Sequence, residues 1–151
     1  MQKIDHSPIK IILADDDKED LAVFRDALQE LPLNHTLDSF ADGKELMDYL
    51  LNDENPLPHL LFLDLNMPCK TGMECLDEIR SNPRFSGISI AIYSTSSAKA
   101  DIEAAFISGA NIYIKKPSEF SKLKEVLNEV VNLNWQHHTS GLNKDTFFFS
   151  I

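Results

Sequence analysis

Short, wholly apolar runs alternate along the chain with stretches whose apolar residues recur every three or four positions. Ile9 to Ala14 (IKIILA), His59 to Leu63 (HLLFL) and Ile88 to Tyr93 (ISIAIY) are too short and too uniformly apolar for surface helices. They predict strands buried on both faces. His35 to Phe40 and Asn111 to Lys115 complete a set of five strands. Between them, Lys18 to Leu31 carries Leu21, Phe24 and Leu28 at helical spacing. Asp42, followed three residues later by Glu45, resembles a capping box that opens a second helix through Leu46, Tyr49 and Leu50. Asn52 to Pro58 reads as a loop. Met73 to Ser81 predicts a third helix. Ala98 to Ser108 predicts a fourth, with Ile102, Ala105 and Phe106 inward and Gly109 at its C-terminal cap. Ser118 is the expected cap of a fifth, with Leu123, Leu127 and Val130 on one face and an end near Leu133.

Five strands alternating with five helices imply an α/β fold, a doubly wound parallel sheet with helices on both faces. Ligands of such sheets sit at the carboxyl ends of the strands, at the topological switch point. The residues that follow each strand therefore matter most. Asp15-Asp16-Asp17 follow the first, Asp64 in the segment LDLNMP the third, Ser94-Thr95-Ser96 the fourth, and Lys115-Lys116-Pro117 the fifth. Carboxylates, hydroxyls and an ammonium would meet at one edge of the sheet. Clustered carboxylates repel one another unless a cation joins them, and such oxygens with water suit Mg²⁺. A carboxylate can attack a phosphoryl group to form an acyl phosphate. A lysine and a hydroxyl stabilise the phosphoryl oxygens.

Composition narrows the reading. The chain has 151 residues, 43% hydrophobic and 25% charged, which suits one globular domain and argues against disorder. A net charge of −10 removes the basic face that nucleic acids or anionic membranes require. No apolar run reaches the roughly 18 residues of a membrane helix, and Met1 to Lys10 lacks a secretion signal. Cys69 and Cys75 form neither a disulfide framework nor a CxxC motif, so a reducing cytoplasm is the expected location. The histidines show no ligand spacing. An EF-hand starting at Asp15 would need glycine and glutamate where Asp20 and Asp26 stand. A haloacid-dehalogenase-type phosphatase would want aspartate where Asn66 stands.

The acidic pair Asp15-Asp16, the segment DLNMPCKTG from Asp64 to Gly72, the pair Ser94-Thr95 and Lys116-Pro117 together resemble the CheY-like receiver domains of two-component response regulators. Ser94 lies 30 residues after Asp64 and Lys116 lies 22 after Ser94, which suits the family's spacing. The resemblance spans residues 9–133. NPRFSGISIAIYSTSS and DLNMPCKTGMECL further resemble small stand-alone receivers associated with phytochrome-type and other histidine kinases.

The resemblance implies a flavodoxin-like strand order 2-1-3-4-5 and a switch rather than a turnover enzyme. It makes Asp64 the phosphoacceptor from a sensor histidine kinase or a histidine phosphotransfer protein. It implies Mg²⁺ held by Asp16, Asp64 and the main-chain carbonyl of Asn66, with Asp15 acting through water. Ser94, Thr95 and Lys116 would grip the phosphoryl group. Tyr113 would be the aromatic switch that turns inward on activation, and the Lys116–Pro117 bond is expected to be cis. Residues 1–134 would form the receiver and 135–151 a tail with no effector domain, so output would pass by protein contact or onward phosphotransfer. A homodimer through the face of helix 4, strand 5 and helix 5, or through the tail, is a further expectation. The terminal run Phe147-Phe148-Phe149-Ser150-Ile151 is expected to pack on this domain or on a second copy. Asp17 is a surplus acid that either tunes the metal or caps the first helix. The alternative function is a receiver-shaped interaction module that is never phosphorylated. Such modules usually lose an acidic residue, the acceptor or the lysine, and this chain keeps all of them.

Overall fold

The computed structural model describes residues 8–137 and 148–149. Its strands are β1 (Ile9–Ala14), β2 (His35–Phe40), β3 (Leu60–Leu63), β4 (Ser89–Ser94), β5 (Ile112–Lys115) and β6 (Phe148–Phe149). Its helices are α1 (Lys18–Gln29), α2 (Gly43–Leu51), α3 (Gly72–Arg80), α4 (Lys99–Ile107) and α5 (Phe120–His137), with a 3-10 turn at Pro83–Phe85. The sheet order is β2-β1-β3-β4-β5-β6, and every pairing is parallel. The first five strands have the expected 2-1-3-4-5 order.

Alternation along the strands divides the core into two layers. Ile12, Leu61, Leu63, Ile90 and Ile92 face one side and pack with Leu46 and Leu50 of α2 and Leu76 and Ile79 of α3. Ile11, Leu13, Phe62, Ala91 and Ile114 face the other side, against Phe24 and Leu28 of α1 and Leu123, Leu127 and Val130 of α5. The central strands are buried on both faces because helices cover both, which explains their unbroken apolar runs. β2 lies at the edge and is only partly buried.

Helix ends follow local chemistry. Asp17 caps α1, its carboxylate accepting the N–H groups of Glu19 at 2.8 Å and Asp20 at 3.2 Å. Thr71 and Glu74 form a reciprocal capping box on α3. α4 ends in a Schellman motif, with Ala110 N–H bonded to Ala105 O and Gly109 N–H to Phe106 O. Gly109 has φ +102°, the left-handed conformation this motif needs.

Several expected details differ. α1 stops at Gln29, yet Leu31 still packs against the core, so its apolar spacing misled the boundary. α5 starts at Phe120, with Glu119 O receiving the Leu123 N–H, so Ser118 stands one residue ahead of the cap. The same helix runs past Leu133 to His137. Phe106 does not point inward: it is 37% exposed. A nine-residue helix presents one narrow apolar stripe, and Ile102 and Ala105 occupy it. Phe148 and Phe149 of the tail add a sixth strand, pairing with Tyr113 and Ile114 on the β5 edge. None of the helices among the described residues is long and apolar enough to cross a membrane.

Candidate functional site

Backbone hydrogen bonds carry the sheet ladder beyond the strands and fix where the site residues emerge. Asp15 N–H bonds to Phe40 O at 3.0 Å, Asp64 N–H to Ala14 O at 2.9 Å, and Lys116 N–H to Ser94 O at 2.8 Å. Asp15, Asp64, Ser94 and Lys116 therefore stand side by side at the carboxyl edge of four adjacent strands. This is the location a doubly wound sheet offers to a ligand.

The carboxylates come together as the spacing predicts. Oxygens of Asp15, Asp16 and Asp64 all lie within 4.8 Å of one another. Asp15 is fully buried, Asp64 is 6% exposed and Asp16 faces solvent. Lys116 enters from the other side. Its Nζ lies 2.8 Å from Asp15 Oδ2, 2.7 Å from Asp20 Oδ2 and 3.3 Å from Asp64 Oδ2. It also sits 5.3 Å from the centroid of the Tyr93 ring, which packs edge-on against Phe24. Asp20 is the site residue that the sequence reading missed. Its only signal was a position one turn into the helix that follows the acidic triplet.

Charges here do not balance. Burial pushes the Asp15 carboxyl up to about 6 and the Asp64 charge adds to it; Lys116 and the Asp17 N–H pull it down without overcoming burial. Burial works against the Lys116 ammonium, but the adjacent carboxylates of Asp15, Asp20 and Asp64 override it and hold its pKa above the ordinary lysine value. Asp15 Oδ2 stays within ion-pair distance of Lys116 but has no aligned hydrogen bond, leaving a buried, under-satisfied oxygen beside two more carboxylates. A hard divalent cation suits that donor set, because it would supply the missing partner and offset the mutual repulsion of the acids.

The loop after β3 is shaped for close approach. A Cβ added to Gly72 would lie 2.1 Å from the Asp64 carbonyl oxygen, so only glycine lets the loop fold back onto the phosphoacceptor candidate. Gly72 N–H closes that loop onto Leu65 O at 2.9 Å. Cys69 turns the chain with φ +68°. Asn66 N–H reaches Asp64 Oδ1 at 3.3 Å, so the Asn66 backbone lies in the same turn as the acid. Lys70 is tied to Glu78 of α3.

The hydroxyl pair divides. Ser94 is fully buried, and its Oγ accepts the Ser96 N–H at 3.1 Å. Thr95 faces solvent. Tyr113 is fully buried and donates its hydroxyl to Ser96 O at 2.9 Å. Burial raises the Tyr113 hydroxyl pKa, opposed by hydrogen bonding with Ser94 and Ser96. Tyr113 is thus already inward and linked to the loop carrying Ser94. The Lys116–Pro117 bond is trans, which corrects the expected cis bond. An X–Pro amide still favours trans by about 0.5–1 kcal/mol, and Lys116 reaches the acids from a backbone anchored on Ser94 without an inverted bond.

The chain is similar to known proteins over most of its length. Residues 11–128 match the response regulator receiver domain. Response regulator Rcp1 of Synechocystis sp. is 32% identical over 120 residues, 77% of this chain and 82% of that protein. Chemotaxis protein CheY1 of Helicobacter pylori is 31% identical over 126 residues, 83% of this chain and 99% of that protein. The phosphorylated cyanobacterial phytochrome response regulator RcpA superposes with a TM-score of 0.79 at 31% identity, covering 86% of this chain and 96% of that one. The Mn²⁺-bound form of Rcp1 gives 0.76 at 29% identity, with the same coverage. From its sheet order, the acids and lysine at its carboxyl edge and these similarities, the chain belongs to the response regulator receiver domains, the signalling switches of two-component systems.

Proposed function

We propose that this receiver accepts a phosphoryl group on Asp64 and passes the signal by protein contact or onward phosphotransfer. The observation that carries the reading is the convergence of Asp15, Asp16 and Asp64 within 4.8 Å, with Lys116 Nζ 3.3 Å from Asp64. The donor is a phosphohistidine on a sensor histidine kinase or a histidine phosphotransfer protein. Similarity to a cyanobacterial phytochrome response regulator favours a phytochrome-type kinase.

The residues divide the work by position. An Asp64 carboxylate oxygen attacks phosphorus, the P–N bond to the donor imidazole breaks, and the imidazole leaves with its electron pair and takes up a proton. Asp64 is then an acyl phosphate. Asp16, Asp64 and the Asn66 carbonyl would hold Mg²⁺, with Asp15 contributing through water; a bound Mg²⁺ would neutralise charge on the phosphoryl oxygens. Manganese in the Rcp1 structure supports a divalent cation in this donor set. Lys116 brings a fixed positive charge to the phosphoryl group, and the Ser94 hydroxyl offers a hydrogen bond. Thr95, exposed beside it, offers a second hydroxyl at the entrance to the site.

Movement of Ser94 towards the phosphoryl group would be felt by Tyr113, because Ser96 bonds to both. The local event then biases a two-state element. Output surfaces lie nearby: Phe106 and Ile107 of α4 and Phe120 of α5 are exposed apolar residues flanking β5. A second copy or another protein would meet this face.

Borohydride trapping tests the assignment. An acyl phosphate on Asp64 is reduced to homoserine, which peptide mapping locates. Modification at Asp64 after treatment with acetyl phosphate supports the reading. Modification elsewhere, with Asp64 intact, contradicts it.

A further inference from the structure

Of the three carboxylates around Lys116, Asp20 is the one that the phosphorylation reading does not use, yet it lies nearest. Its Oδ2 is 2.7 Å from Nζ, against 2.8 Å for Asp15 and 3.3 Å for Asp64. Asp20 stands in the first turn of α1, held at the rim by the Asp17 cap, and its side chain is 36% exposed. The Lys116 side chain is 9% exposed. A nearly buried ammonium thus divides its contacts among three acids, closest to the one at the rim and farthest from the acceptor.

Resting on the phosphorylation reading above, we propose that Asp20 is a positioning residue, an outer counter-ion that holds Lys116 back from Asp64 until a phosphoryl group claims it. The physical reason is competition for one cation. Before phosphorylation, Lys116 bridges three acids, and Asp20 shares its charge. After phosphorylation, the dianionic phosphoryl group needs that charge at Asp64. Asp20 then opposes the phosphorylated state twice, by retaining the lysine and by adding a like charge near the phosphoryl oxygens. Towards a divalent cation its effect is reversed. Extra negative charge attracts the cation, and drawing Lys116 outward relieves its competition for Asp64. The two ligands therefore respond to Asp20 in opposite directions, which loss of packing alone would not produce.

The experiment uses the full chain and isothermal titration calorimetry, with Mg²⁺ alone and with beryllofluoride as phosphoryl mimic at saturating Mg²⁺. Asp20→Asn is expected to tighten beryllofluoride binding and weaken Mg²⁺ binding, each by roughly two- to fivefold, the scale of a partly exposed ion pair. Asp20→Glu, which restores the charge, should return both constants towards wild type. Circular dichroism establishes that each variant is folded, and Asp20→Ser is the substitute if the asparagine variant is not. Beryllofluoride affinity unchanged or reduced in folded Asp20→Asn overturns the inference and leaves the phosphorylation reading standing. Wild type that binds neither ligand overturns both.

Discussion

Asp15→Asn removes one charge while keeping side-chain size and the acceptor for the Asp17 N–H, which bonds to Asp15 Oδ1 at 3.0 Å. In the folded chain, burial raises Asp15 to about 6 from an ordinary 3.8. Between those values the folded state holds a proton that the unfolded chain has released, so this group's contribution to stability is present below about pH 4 and lost as pH rises through 6. Above pH 7 the ionised, fully buried Asp15 therefore costs about 1–3 kcal/mol, at roughly 1.4 kcal/mol per pKa unit. The asparagine variant avoids that cost. Urea unfolding in EDTA at a series of pH values from 4 to 8 measures it, as the wild-type-minus-variant difference so that other carboxylates cancel. The variant should be about as stable as wild type at pH 4 and more stable by about 1–3 kcal/mol at pH 8. That is roughly 4 °C in melting temperature per kcal/mol for a domain of this size. Adding Mg²⁺ at pH 8 should stabilise wild type more than the variant, reversing part of the gap. A variant less stable than wild type at pH 8 without metal would refute the argument that burial of the Asp15 charge outweighs its pairing with Lys116.

Three other perturbations follow from the same geometry. Gly72→Ala forces a Cβ to within 2.1 Å of the Asp64 carbonyl, so the loop must shift; thermal unfolding should show a loss of about 1–3 kcal/mol, accompanied by slower labelling of Asp64. An unchanged melting temperature would mean that the loop yields freely. Asp17→Ala removes the α1 cap and should cost about 1 kcal/mol, with Mg²⁺ affinity changed less than by Asp16→Ala; a larger effect on metal than on stability would assign Asp17 to the cation instead. Deleting residues 138–151 uncovers the β5 edge beside Tyr113 and Ile114, and should lower the melting temperature and promote concentration-dependent association seen by light scattering. Unchanged mass and melting temperature would show that β6 contributes nothing to the edge.

The strands were legible because apolar runs end where chemistry begins. Ile9–Ala14 stops at Asp15, and the sheet places that boundary at the site edge. His35–Phe40 emerged from alternation alone because an edge strand has one wetter face. Helix ends were less legible, since Leu31 keeps apolar spacing after the chain has left α1. Phe106 shows the converse error, an aromatic at helical spacing that the short α4 turns to the rim. Within the site, Asp15, Asp64, Ser94 and Lys116 could be inferred from their places after strands. Asp20 could not, because it lies inside α1 rather than after a strand, and only the packing of α1 brings it to Lys116. The Lys116–Pro117 isomer was likewise beyond the sequence, since a proline permits either form. The phenylalanine-rich tail signalled that something covers it, but not that Phe148 and Phe149 pair with β5.

In the proposed function, Asp64 takes a phosphoryl group with the help of a divalent cation. Intact-protein mass after incubation with acetyl phosphate or phosphoramidate tests it most directly, with Mg²⁺ and with EDTA, on wild type and Asp64→Asn. Wild type should gain one phosphoryl group with Mg²⁺ and none in EDTA, and the variant should gain none. A folded wild-type protein that gains no mass under any condition would contradict that function and leave an interaction module that acts without phosphorylation.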